Sequence, residues 1–393
     1  MQKIVPRKWQ MEALETWSRD HRGIAKVVTG GGKTIFAILC INHILEKTDA
    51  KKILILVPSI FLLDQWEIEI KKFLTDHSVS VCGGGSRVTK DADIIISTMD
   101  SSSHALKEIG KTDDVFLIVD ECHRTGSSKR SESIKHRWFA TLGLSATPER
   151  DHDDALEEVI VPSLGDIIFN YDYNQAYRDG VIADFSLTNV YVPMDSEEEL
   201  EYESITKRIG KRIGILGKFD KNDQQLRMLL LKRARLVNST FLRVPIVPKI
   251  IKINDKRKWL VFSESIEQAD LLNALLDRKG YRCAVYHTGA PNEIRRTNLR
   301  RFIKGTVDVL ISCRGLDEGF DVPNADAALI LSSSSVSRQR IQRMGRVLRK
   351  SPGKLQAKIY TFYSSDPEKE RLIDETRNLN SEIAVQWLNV NTN

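Results

Sequence analysis

The chain has 393 residues, with 59 Lys+Arg against 53 Asp+Glu for a formal net charge of +6, and it is 41% hydrophobic and 28% charged. That length favours two domains, each burying its own core without disulfide or metal staples, and the composition excludes a disordered chain. No apolar run approaches the ~18 residues of a bilayer span, and Met1–Arg7 lacks the apolar stretch of a signal peptide. The five cysteines form no C-x-x-C pair, which argues against a zinc or iron–sulfur site and fits a reducing cytoplasm.

A short apolar start, Ile24–Val27, leads into Val28-Thr29-Gly30-Gly31-Gly32-Lys33-Thr34 and then a helical pattern from Ile35. Lys52–Val57, Asp93–Ser97 and Val115–Val119 follow as continuous apolar runs, with an amphipathic helix predicted over Phe61–Leu74. Runs without alternation describe strands covered on both faces, so an α/β doubly wound parallel sheet is predicted. The rhythm stops near Pro162 and resumes at Trp259–Phe262, Val307–Ile311 and Ala327–Leu331, a second unit of similar design. The predicted domains are 1–166 and 167–393, with a helical insertion at about 196–256. Glu201–Lys258 holds 16 Lys+Arg and 5 Asp+Glu, an excess of +11 that leaves −5 over the rest of the chain.

Glycines followed by Lys33 and Thr34, between a strand and a helix, suit a phosphate loop. Backbone N–H groups turn inward around phosphate oxygens, and the helix start adds its positive dipole. Lys33 would reach the β/γ-phosphates and Thr34 a magnesium ion. The full G-x-x-x-x-G-K-[ST] pattern fails at Val27, and a plain glycine-rich turn is the alternative. Asp120 and Glu121 end the Val115–Val119 strand, where α/β proteins place ligands. Asp120 suits magnesium, Glu121 suits a water attacking the γ-phosphate, and an unpartnered acidic turn is the alternative. Arg346 and Arg349 stand one helical turn apart and could meet transition-state charge, although a basic surface helix has the same composition.

In this order the residues resemble the superfamily 2 helicases of the DEAD/DEAH-box group, most closely the XPB-like and phage UvsW-like branch. Arg7-Lys8-Trp9-Gln10 is similar to the adenine motif, Val28–Thr34 to motif I, and Val57-Pro58-Ser59 with Gln65-Trp66 to motif Ia. Ile96–Met99 resembles motif Ib, Asp120–His123 a DECH form of motif II, and Leu144–Pro148 motif III. Val261–Glu264 looks like motif IV, Tyr286–Gly289 like the element after it, Ile311–Pro323 like motif V, and Gln342–Arg349 like motif VI.

The resemblance implies two tandem RecA-like (P-loop NTPase) domains that hydrolyse ATP with Mg2+. Arg7, Gln10, Gly30, Gly31, Gly32, Lys33, Thr34, Gly319 and Asp321 would bind the nucleotide. Thr34 and Asp120 would hold magnesium. Lys33, Asp120, Glu121, His123, Gln342, Arg346 and Arg349 would carry the chemistry, with His123 facing Gln342. Ser145 and Thr147 would couple hydrolysis to movement. Pro58, Ser59, Thr98, Ser263, His287, Gly289 and Ser312 would grip a nucleic-acid backbone, although each Ser or Thr alone also suits a cap or turn. In the basic segment Arg227, Lys232, Arg233 and Arg235 could line a nucleic-acid channel, or belong to a solvated helical pair.

The expected function is thus an ATP-dependent helicase or translocase, a two-domain motor with DNA favoured over RNA. No membrane role is expected. Location would be cytoplasmic, nucleoid-associated if DNA is the substrate, and protein partners could supply specificity. An RNA helicase of the same superfamily and an ATP-switched binding component remain open.

Overall fold

The computed structural model describes residues 4–48, 52–86, 88–89, 91–148, 154–220, 222–252, 257–313, 325–332, 356–377 and 383–390. The chain divides into two compact units that meet in sequence at Ile182/Ala183.

The first unit is built on seven strands: β1 (Ile24–Val27), β2 (Lys52–Val57), β3 (Val79–Cys82), β4 (Ile94–Thr98), β5 (Val115–Asp120), β6 (Ala140–Ser145) and β7 (Ile167–Tyr171). They lie in the order β3-β4-β2-β5-β6-β1-β7, and every pairing is parallel. β4, β5 and β6 are buried at every residue and β2 at all but Lys52. This is why they read as unbroken apolar runs, since helices cover both faces of a parallel sheet. Three helices matter for the site: α1 (Lys8–Trp17), α2 (Lys33–Lys47) and α3 (Ile60–Phe73). The helix predicted over 61–74 is therefore found one residue earlier.

The second unit repeats the plan with β8 (Phe185–Tyr191), β9 (Trp259–Ser263), β10 (Cys283–His287), β11 (Val309–Cys313), β12 (Ala327–Ile330), β13 (Ala357–Tyr363) and β14 (Ala384–Asn389). Their order is β10-β11-β9-β12-β13-β8-β14, again all parallel. The doubly wound α/β expectation holds in both units.

Two boundaries move. The division placed at 166/167 falls at 182/183, because β7 hydrogen-bonds to β1 and belongs to the first sheet. Trp9 of α1 stacks on Phe169 and Tyr171 of β7, with centroids 6.0 and 4.9 Å apart, and fastens it there. The basic segment is also two things rather than one. Helices Ser196–Leu216 and Gln224–Asn238 pair around Ile205, Ile209 and Leu226 as a small satellite core. The next helix, Arg243–Ile250, instead sends Val244, Ile246 and Val247 into the main core of the second unit.

Candidate nucleotide site and strand-end surfaces

β1 delivers the chain to the loop Val28–Gly32, and α2 starts at Lys33. Gly30 and Gly32 have φ of 83° and 102°, a region that side chains other than glycine rarely enter. A Cβ on Gly31 would stand 2.7 Å from Val27 Cγ1. No side chain caps the start of α2, so its first N–H groups are available to an anion. Thr29 Oγ1 is buried here with no hydrogen-bond partner among the described residues, which suits a loop shaped for a polar ligand.

The adenine-motif residues brace this loop. Arg7 Nη1 donates to Gly31 O, Trp9 Nε1 donates to the same oxygen at 3.2 Å, and Gln10 Nε2 donates to Gly32 O at 2.9 Å. Gln10 Oε1 accepts the Arg7 backbone N–H at 2.8 Å. Both ends of the Gln10 amide are therefore engaged within the protein.

β5 ends in Asp120, which is 6% exposed. Its Oδ2 accepts Trp66 Nε1 at 2.9 Å and its Oδ1 accepts the Glu121 backbone N–H at 3.0 Å. Glu121 holds a left-handed backbone, φ 51° and ψ 50°. Its Oε1 lies 3.2 Å from Lys33 Nζ, and its Oε2 lies 3.5 Å from His123 Nδ1. Burial alone would raise the Glu121 pKa, but Lys33 and then His123 overcome it and bring the carboxyl down to about 2. Burial likewise opposes charge on Lys33, yet Glu121 and Asp120 outweigh it and hold the ammonium above its usual range. Asp120 moves the other way: burial raises it, and Lys33 offsets only part of this. His123 Nδ1 is also 2.9 Å from Ser145 Oγ, which accepts the Thr147 N–H at 3.1 Å. The expected motif I, II and III residues thus form one connected array. Gln342, the expected neighbour of His123, lies outside the described residues, as do Gly319, Asp321, Arg346 and Arg349.

The expected backbone-gripping residues occupy carboxyl ends of parallel strands. In the first unit Pro58 and Ser59 follow β2, and Thr98 ends β4. Ser59 also caps α3, its Oγ accepting Leu62 N–H at 3.4 Å. In the second unit Ser263, His287 and Ser312 lie at the ends of the neighbouring strands β9, β10 and β11. Ser263 is fully buried and its hydroxyl donates to Ser265 O at 3.0 Å. His287 Nε2 is 2.9 Å from Asp270 Oδ1, while His287 Nδ1 and Ser312 Oγ are buried without partners among the described residues. Gly289 is exposed beside them, with room for a Cβ only 3.2 Å from His287 Nδ1. Arg227 and Arg235 are exposed on their helix, whereas Arg233 is half-buried over the Tyr202 ring at 5.7 Å. Lys232 is paired with Glu201 at 2.7 Å.

Three features escaped the sequence reading. Gly83, Gly84 and Gly85 all have positive φ, and a Cβ on Gly83 would stand 2.8 Å from Thr98 Cγ2. The triplet after a short apolar stretch was the available signal. Asp270 as the partner of His287 had none. Trp66 as the partner of Asp120 had none either, because the two are 54 residues apart in sequence.

Among the described residues no cluster of three or more His, Cys, Asp or Glu could hold a metal ion, and no helix is long and apolar enough to cross a membrane. Magnesium does not require such a cluster, since it keeps several waters and takes one or two carboxylates with substrate phosphates. Thr34 and Asp120 beside the glycine loop fit that pattern.

Residues 3–150 match the family described as "Type III restriction enzyme, res subunit", and residues 243–351 match "Helicase conserved C-terminal domain". The chain is 29% identical over 367 residues to the DNA 3'-5' translocase XPB2 of Sulfurisphaera tokodaii, covering 88% of this chain and 79% of that protein. Other relatives are longer, and the chain spans between 41% and 64% of their length. The fold is similar to that of S. cerevisiae Dbp5 bound to RNA and ADP BeF3 (TM-score 0.66, 15% identity, 98% of this chain and 90% of that one). It is also similar to the ATP-dependent Type ISP restriction-modification enzyme LlaBIII bound to DNA (TM-score 0.67, 17% identity, 100% of this chain and 32% of that one).

Proposed function

We infer that the chain, which belongs to the superfamily 2 helicases, is an ATP-driven DNA helicase or translocase, with a place in repair or recombination. The observation that carries this is the Lys33–Glu121 pair at 3.2 Å, set between an uncapped glycine loop and an Asp120 carboxylate held on both oxygens. When bound, MgATP supplies the phosphoanhydride to be cleaved and a cation that neutralises charge on its phosphates.

Gly30–Gly32 and the start of α2 would hold the phosphates, and Thr34 and Asp120 the magnesium ion. Lys33 would turn from Glu121 to phosphate. Glu121, kept ionised by Lys33 in the free protein, would then lose its counter-charge and become a better acceptor for the proton of the attacking water. His123, joined to both Glu121 and Ser145, would pass the state of the site to Thr147. Arg7 and Gln10 would serve the base end, and Gly319, Asp321, Gln342, Arg346 and Arg349 are proposed for the remaining nucleotide chemistry. Pro58, Ser59 and Thr98, together with Gly83–Gly85, and His287, Gly289 and Ser312 are the proposed backbone contacts, which would grip without reading sequence. The S. tokodaii relative is named for DNA and for 3'-5' movement, and both properties are proposed here. Partner proteins that supply specificity and a cytoplasmic or nucleoid-associated location belong to the same reading.

Glu121→Gln should bind ATP yet lose roughly 10²–10⁴-fold in turnover, the usual worth of a general base. Turnover near wild type would remove Glu121 from that role. ATPase activity measured beside single-stranded, duplex and forked DNA and RNA should be stimulated by DNA. Stimulation by RNA alone would make the chain an RNA helicase. A duplex with a single 3' or 5' tail tests the direction of movement.

A further inference from the structure

Trp66 is 1% exposed and lies on α3, two turns after Ser59 caps that helix. α3 begins where β2 ends, and β2 sits between β4, which ends in Thr98, and β5, which ends in Asp120. One helix therefore starts among the proposed nucleic-acid contacts and reaches the proposed magnesium acid. An indole N–H donates and cannot accept. Trp9, Trp17 and Trp138 spend theirs on the backbone oxygens of Gly31, Thr141 and Ile134. Trp66 instead donates to a side-chain carboxylate, Asp120 Oδ2, at 2.9 Å. With Oδ1 held by the Glu121 N–H, the carboxylate has a fixed plane, one support coming from its own strand and the other from α3. Packing alone would be met by a ring without a donor.

We propose that Trp66 is a positioning residue for Asp120, and that α3 links the Ser59 end of the strand-end surface to the orientation of that carboxylate. The proposal rests on the reading of Asp120 as a magnesium acid. Partners that orient a metal-binding carboxylate are typically worth ten- to a hundredfold in metal affinity. A displacement of α3 when nucleic acid engages Ser59 would move the indole and so retune Asp120.

The test uses Trp66→Phe, which keeps an aromatic ring and removes the donor. Binding of a fluorescent ATP analogue is followed while Mg2+ is titrated, with and without DNA, in wild type and variant. The variant should need roughly ten- to a hundredfold more Mg2+ for half-saturation, while its affinity for the analogue in EDTA stays that of wild type. DNA should change analogue affinity less in the variant than in wild type. A Mg2+ curve that superimposes on wild type overturns the positioning role, and equal DNA coupling overturns the α3 link. A wild type whose analogue binding ignores Mg2+ sinks the reading of Asp120 itself, a distinct result. Should the variant not fold, the assigned Trp66 indole N–H resonance of the wild type decides. It should move on adding nucleotide with Mg2+ and not with EDTA, and a resonance unmoved by both overturns the proposal.

Discussion

Glu121 illustrates how much one residue can be made to bear. Its left-handed backbone is a conformation costing on the order of 1 kcal/mol or more for a residue with a Cβ, and it turns the carboxylate from the end of β5 toward Lys33 and His123. Strain of this kind collects where the geometry is used. A second left-handed residue, His21, has no place in the proposed chemistry but makes the fold sensitive to pH. Its Nε2 lies 3.2 Å from His43 Nε2. Burial lowers the His21 pKa against the pull of Asp20, and burial, then His21 and Lys47, lower that of His43 against Glu46. The folded protein thus binds fewer protons here than the unfolded chain, whose histidines titrate near 6.5. Stability from this pair is complete above that value and is lost as pH falls below it. Both rings are partly solvated, so the effect is small. Between pH 7.5 and 5.5 the wild-type melting temperature should fall roughly 1–2 °C further than that of His43→Gln. Parallel curves would show that the pair shares its protons without cost.

At the scale of elements, the paired helices Ser196–Leu216 and Gln224–Asn238 sort their own basic residues. Arg212 is committed to Asp223 at 2.6 Å, Lys232 to Glu201, and Arg233 to Tyr202 and Thr206. Arg227, Lys232 and Arg235 are the exposed members of the expected channel set, and of these Lys232 is paired with Glu201. Arg227→Glu with Arg235→Glu should weaken DNA binding and reduce the slope of log affinity against log salt by about 2, close to one for each phosphate no longer neutralised. Arg233→Ala should instead destabilise the hairpin. An unchanged slope in the double variant would return this segment to a solvated helical pair. Elements also differ in how clearly the sequence announces them. Ile53–Val57, Ile94–Ile96 and Val115–Val119 are covered on both faces and stand out as apolar runs. β7 and β14 are sheet edges with most residues partly or fully exposed, and the short apolar run Ile167–Phe169 of β7 falls beyond the expected boundary at 166/167 although it pairs with β1. The glycine loop before Lys33 and the Asp120–Glu121 pair stand out in the sequence because their pattern is local, whereas the burial of Ser263, Ser312 and His287 at strand ends depends on segments far apart in the chain.

Across the molecule, what the sequence hides is whatever depends on distant segments meeting. Trp66 reaches Asp120 only because β2 and β5 are neighbours in the sheet. Arg243 falls within the basic segment 201–258, yet it is fully buried. Its guanidinium donates to Leu331 O at 2.7 Å, to Ser364 Oγ at 3.1 and 2.8 Å, and to both oxygens of Glu368, 125 residues away, at 3.2 and 3.1 Å. Glu368 Oε2 also accepts the Ser364 backbone N–H at 2.7 Å. Five donations from one side chain gather the helix Arg243–Ile250, the end of β12, the turn after β13 and the first turn of the helix Asp366–Arg377, so the second unit carries a polar clamp inside an apolar core. A buried pair of this kind need not be more stabilising than an apolar filling, but removing one partner leaves the other charged and unsolvated, at a cost of about 3–5 kcal/mol. Arg243→Met should therefore destabilise the second unit by about that much in urea denaturation, more than Arg227→Ala, whose side chain is in water. Hydrogen exchange should rise first in segments 243–250, 331–332 and 364–368, and stay near wild type in strands β1–β6. Arg243→Met with Glu368→Leu should recover a large part of the loss, because the second change removes the stranded carboxylate. A double variant no more stable than Arg243→Met would mean that the clamp works through the Leu331 and Ser364 hydrogen bonds rather than through the charge pair.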